Sequence, residues 1–185
     1  MRVPRHTHRA RSRRAGLTLV ELLVVMAILT VAIGAMTDTV VSVTQLGPVN
    51  QETARALDAA RGVAETLGGV PFDEVVARYN DDPDDDPDGA GTAPGRHFQV
   101  RWLDARPDDP DGFVGEVILP LVGGELREDL VDDDLGTPCD LNGDGAVDGA
   151  DHAGDYALLP VVVRLQWQGT TGPRALSFPT TLVRP

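Results

Sequence analysis

The chain opens polar and basic, turns abruptly apolar, and then alternates short apolar runs with acidic loops. Across residues 17–36 the only charged side chain is Glu21. At about 1.5 Å per residue such a stretch makes a helix of roughly 30 Å, the thickness of a bilayer's hydrocarbon core. Helix is expected over 17–46, with an interruption at Gly47-Pro48, because proline removes a donor and crowds the preceding turn. A second helical segment follows over 50–67, where Ala54, Leu57, Ala60, Ala64 and Leu67 recur at helical spacing and Glu52, Arg55 and Glu65 take the other face. Gly68-Gly69 stops it.

Residues 70–79 read as a short helical connector. Residues 81–89 read as a solvated loop, since their like charges repel and Pro83 and Pro87 prevent ordering. Strand patterns come next. Residues 97–103 place Phe98, Val100 and Trp102 on one face, and 112–119 is a partner. Residues 160–168 put Val161, Val163, Leu165 and Trp167 in phase, and 174–183 returns after a turn as an edge strand, where Pro179 is tolerated. Both tryptophans are expected in the core. The predicted fold class is α+β: a long, kinked N-terminal helix with a transmembrane first half, packed on a C-terminal antiparallel sheet with long acidic loops.

Charge sharpens this picture. All 16 basic residues are arginine, and six of them (Arg2, Arg5, Arg9, Arg11, Arg13, Arg14) precede Leu17. The rest of the chain carries 10 arginines against 29 acids, a net of −19. A basic leader before an apolar helix favours a cytoplasmic N-terminus. An acidic remainder argues against a nucleic-acid partner, because phosphate contacts need cations. Cys139 is the only cysteine, so no intrachain disulfide can pin the loops. Beyond the leader only His97 and His152 remain, with no nucleophile–base constellation, and catalysis is not indicated.

Glu21 is the anomaly in the apolar run. An acid inside a membrane helix costs about 2.5–3.5 kcal/mol on insertion scales and normally has a partner. A cut between Gly16 and Leu17 would supply one, since a new α-amino group with a pKa of about 8 is a cation one helical turn away. Pairing between staggered copies would set the register of packed helices.

The run from Gly16 through Leu17, Thr18 and Glu21 to Leu29 resembles the class III signal of type IV prepilins and type II secretion pseudopilins. The resemblance implies that a membrane prepilin peptidase/methyltransferase cleaves after Gly16 and methylates Leu17, where the family usually has Phe, and that Glu21 serves assembly. It implies other pilin or pseudopilin subunits as partners, and residence in the cytoplasmic membrane before passage into a periplasmic or surface fibre. The organisation expected is a leader at 1–16, a membrane and assembly helix at 17–46, an amphipathic continuation at 47–70 and an exported sheet domain at 71–185. The terminal hairpin is similar to that of minor pilins and minor pseudopilins of the V/I type. A twin-arginine export signal is the rival for residues 12–18. Export signals, however, have apolar regions of about 7–15 residues, shorter than this one. A membrane-anchored, calcium-dependent binding module that joins no fibre is the alternative from another functional class.

Residues 140–151 form a second motif. Asp140, Asn142, Asp144, Asp148 and Asp151 stand at loop positions one, three, five, nine and twelve, with glycine at six and the Ala146 carbonyl at seven. This spacing suits a hard cation that takes 6–8 oxygens. The loop resembles those of EF-hands and dockerins, which implies structural Ca²⁺. The flanks cannot supply EF-hand helices, so the loop reads as one grafted between strands. An Asp/Gly-rich turn that binds nothing is the alternative.

Overall fold

The computed structural model describes residues 18–185, without the side chains of 38–46. It falls into two compact units, one ending at Thr44 and the other Gln45–Pro185. Helix α1, Leu19–Gly69, enters both and is unbroken for 51 residues, with Pro48 inside it. The interruption expected at Gly47-Pro48 is therefore absent. An interior proline costs about 3 kcal/mol, a local penalty that a helix with many turns on either side can carry.

Within Gln45–Pro185, α1 buries Ala56, Ala60 and Leu67, and Ala59 and Val63 pack beside them. The buried stripe is rotated from the predicted one, since Ala54 is exposed. Small side chains at 56 and 60 leave room for the bulky residues of the sheet. A 3₁₀ turn, Phe72–Glu74, and α2, Val75–Tyr79, follow as the predicted helical connector, with Val75 and Tyr79 buried.

The sheet has the order β1-β2-β5-β6 and is antiparallel throughout: β1 is His97–Phe98, β2 Gly115–Ile118, β5 Leu158–Gly169 and β6 Gly172–Val183. Between β2 and β5 lies a separate small hairpin, β3 at Leu121–Val122 and β4 at Glu125–Leu126. Its turn residues Gly123 and Gly124 have φ of 64° and 92°, which a two-residue hairpin turn of this hand requires. Strand β5 runs through the core: Val161, Val162, Val163 and Leu165 are fully buried and Trp167 nearly so. Each such aliphatic side chain contributes about 1.5–3 kcal/mol on burial. Strand β6 is the sheet edge, as predicted, and its side chains alternate between half-buried and exposed.

Two strand expectations change. β1 stops at Phe98, because the chain turns at Val100–Leu103, where the Leu103 amide donates to the Val100 carbonyl at 3.2 Å. That turn sends Leu103 inward and leaves Trp102 70% exposed, so Trp102 is not a core residue. β2 begins only at Gly115, because the Asp111 carboxylate holds the Phe113 amide at 2.7 Å in a local turn.

Candidate membrane segment and cation loop

The first turn of α1 is closed by Thr18. Its Oγ1 accepts from the Glu21 amide at 3.2 Å, and its carbonyl accepts from the Leu22 amide at 3.1 Å. A threonine followed three residues later by glutamate is the sequence form of a capping box. Glu21 therefore stands in the helix-starting turn as well as in the apolar run. Leu19–Thr37 has a mean hydropathy of 2.5, with none of it buried, and by length and composition can cross a membrane. The hydroxyls of Thr30 and Thr37 donate to the carbonyls of Met26 and Ile33 at 2.8 and 2.9 Å, so neither would enter lipid unsatisfied. Gly16 and Leu17, the predicted processing residues, lie outside the described residues.

The acidic loop is built on its own backbone. Asp140 accepts from the amides of Gly143 and Gly145 at 2.6 and 2.7 Å. Those two glycines have φ of 81° and 90°, a region that favours glycine. The Gly145 amide, aided by the Gly143 amide and others in the loop, holds the Asp140 carboxyl below the usual range. Asn142 Oδ1 accepts from the Asp144 amide at 3.0 Å, and Asp144 Oδ1 from the Ala146 amide at 2.8 Å. Asp148 accepts from the Ala150 amide at 2.7 Å, and that bond, followed by the one to His152, lowers its pKa. Asp151 turns to the amides of Leu126 and Ala153, at 3.0 and 3.1 Å, and so ties the end of the loop to β4.

At the centre is a residue the sequence did not point to. Glu128 is 1% exposed. Its Oε1 accepts from the amides of Leu141 and Asn142 at 2.7 and 3.3 Å, and its Oε2 from the Asp148 amide at 3.2 Å. His152, 4% exposed, lies with Nε2 3.2 Å from Asp148 and 3.6 Å from Glu128, and Nδ1 3.1 Å from Asp155. Burial opposes charging of this imidazole. The hydrogen bonds of Asp148 and Asp155 and the charge of Glu128 outweigh it, and the pKa is raised. The loop is fastened to the core by Leu141, fully buried, whose carbonyl accepts from the amides of Ala157 and Leu158 at 2.7 and 2.9 Å. Beside it, burial and then the charges of Glu128 and Asp140 push the Cys139 thiol pKa up, which makes it a poor nucleophile.

Glu128, Asp148 and His152 could hold a metal ion, because one ligand atom from each lies within 4.8 Å of the others. The site thus offers a mixed carboxylate–imidazole set beside the oxygen-rich turn of Asp140, Asn142 and Asp144. Oxygens alone suit calcium or magnesium, and an imidazole suits zinc and its neighbours. Glu128 stands twelve residues before the loop begins, at no spacing a motif would register. His152, directly after Asp151, was the one legible hint.

Residues 11–37 match the family model described as the prokaryotic N-terminal methylation motif. No curated protein and no solved structure matches the chain. The matched stretch carries Arg11, Arg13 and Arg14, then Gly16, the lone Glu21 and the whole membrane-length segment Leu19–Thr37 together. With its apolar helix, the N-terminal segment fits the class III signal of type IV prepilins and pseudopilins.

Proposed function

We propose that the protein is a structural minor pilin or pseudopilin, cleaved between Gly16 and Leu17, methylated on Leu17, and assembled through Glu21 into a type II secretion pseudopilus or a type IV pilus. The observation that carries this reading is the methylation motif over 11–37, with Glu21 as the one charge in an exposed, membrane-length helix. Prepilin peptidase and other pilin subunits are its partners. The cytoplasmic membrane holds it first, with the 1–16 leader inside, helix 17–46 across and residues 47–185 exported. Glu21→Ala is expected to leave membrane insertion intact and to abolish incorporation into fibres. Normal incorporation of that variant would overturn the assembly role, and mass spectrometry finding residues 1–16 still attached would overturn the processing.

The loop reading extends this. Asp140, Asn142, Asp144, the Ala146 carbonyl and Asp148 are proposed to hold Ca²⁺, with Asp151 anchoring the loop's end, in place of the disulfide that a lone Cys139 cannot form. Chelation is then expected to lower the melting temperature of the protein, and calcium to restore it; a melting curve indifferent to both refutes the site. A loop that orders around a cation also suits the second reading, a membrane-anchored binding module, which predicts normal behaviour of Glu21→Ala in every assay.

A further inference from the structure

A turn and a groove lie at different levels along β5. The turn at Val100–Leu103 holds Trp102 at φ 68°, a position normally left to glycine or asparagine. Its indole is 70% exposed, and the Arg101 guanidinium stacks over it, 5.0 Å from the ring centroid. The base of the turn is rigid, because Leu103 is buried and the Gln168 amide donates to the Asp104 carbonyl at 2.9 Å. A strained, pre-positioned Trp–Arg pair is the composition of an interface anchor.

The groove takes in Val117 and Ile118 of β2, which pair with Val163 and Val162, so along β5 it lies roughly 15–20 Å from Gln168. It encloses about 710 Å³ between an apolar floor that includes Leu119, Leu121 and Leu130 and a rim that includes Asp82, Asp85 and Asp132. Arg96 also lines it but is paired with Asp81 at 3.0 Å, so the rim stays negative. Val122 and Val131, flanking the lining residues, are 42% and 76% exposed. The lining already holds Tyr79, which is buried, and Arg96, which is paired. What remains open to an occupant is the charge of Asp82, Asp85 and Asp132 and the leucine floor, and a cation carried on an apolar ring, as in the turn, meets both. Neither Arg101 nor Trp102 lines the groove of its own chain, so the two are separate surfaces.

We infer that the Arg101–Trp102 turn of one copy docks into the Asp82/Asp85/Asp132 groove of the next. A contact that uses the turn of one copy and the groove of the next leaves one turn and one groove free, so it is head-to-tail and propagates. A reciprocal closed pair would give a cross-linked dimer with no ladder and would overturn this geometry. This rests on the fibre reading and adds to it a head-domain contact separate from helix packing.

The test uses the full chain in membranes, with Cys139→Ser removing the native thiol. Asp104→Cys, at the exposed base of the turn and with Trp102 kept, and Val131→Cys are placed in separate copies, mixed and oxidised. Cross-linked dimers are expected in the mixture at about tenfold or more over either variant alone, and a ladder when one chain carries both. Arg101→Glu is expected to cut the mixed cross-link about tenfold or more, and Asp132→Arg in the other copy to restore it. Equal cross-linking of Asp104→Cys with itself, no mixed product, or quenching of Trp102 fluorescence by brominated lipid each overturns the docking; the last would make the turn a membrane-interface anchor. If Glu21→Ala still blocks assembly while no mixed product forms, the docking alone falls. A mixed product with no effect of Glu21→Ala removes the helix-assembly role and leaves the docking standing.

Discussion

Glu128→Gln tests whether one buried carboxylate organises the whole cation loop. The carboxylate receives three amides, from Leu141 at 2.7 Å, Asn142 at 3.3 Å and Asp148 at 3.2 Å. A hydrogen bond to a charged group contributes about 1.5–3 kcal/mol, against about 0.5–1.5 for a neutral one. Glutamine can keep its oxygen on Leu141 and Asn142, but as a neutral acceptor. Its NH₂ then faces the Asp148 amide and His152, so a donor meets a donor. Only the Leu141 bond is both short and wholly buried, which keeps the expected cost to about 2–3 kcal/mol. For a chain of this size that lowers Tm by about 4–12 °C. Glu128→Ala, which leaves all three amides without an acceptor, should cost about 3–5 kcal/mol. The assay is thermal unfolding of the full chain in detergent, paired with amide exchange read at Leu141, Asn142 and Asp148, whose protection should fall together. A Glu128→Gln melt within about 1 °C of the parent, with those three amides as slow as before, would refute the reasoning.

Two further outcomes follow from the same geometry. His152 has a raised pKa in the fold, so its contribution is complete below the ordinary histidine value of about 6.5 and is lost as pH rises through the higher folded value. In chelator, Tm should therefore decline across that window, and His152→Gln should flatten the profile; an unaltered slope in the variant would remove His152 as its source. Gly115 pairs with Phe98 across β1 and β2, and a Cβ there would overlap the Phe98 ring. Gly115→Ala is expected to cost about 1–3 kcal/mol in an equilibrium unfolding titration, and a neutral result would mean the ring is free to move aside.

Much of the architecture was legible because it follows from local pattern. Strand β6 alternates cleanly and β5 does so from Val163 to Trp167 within a longer buried run, so the hairpin's existence and the edge position of β6 could be read from periodicity and from Pro179. The 70–79 connector was legible too. Trp102 was misplaced because alternation assumes a continuing strand, whereas a turn at Val100–Leu103 contains Trp102 at φ 68° and takes it out of the strand's alternation. Pro48 misled because intrinsic propensity is a local term and a 51-residue helix is not decided locally. The β3–β4 hairpin, two residues per strand, is too short for any period to show.

The order of residues along the chain settled what depends on spacing within one segment: the match over 11–37 to the methylation motif, the membrane length of Leu19–Thr37 and the glycine-turned oxygen ladder from Asp140 to Asp148. Tertiary structure decided what depends on distant segments meeting. Glu128 reaches the loop only because the chain leaving β4 passes beside it, and the Asp151 carboxylate caps β4 because the Leu126 amide is there to donate to it. Trp102 is exposed because the Leu103 side chain takes the inward position at that turn. Spacing fixes neighbours a few residues apart; burial and hydrogen bonding between separate elements appear only once the chain has folded.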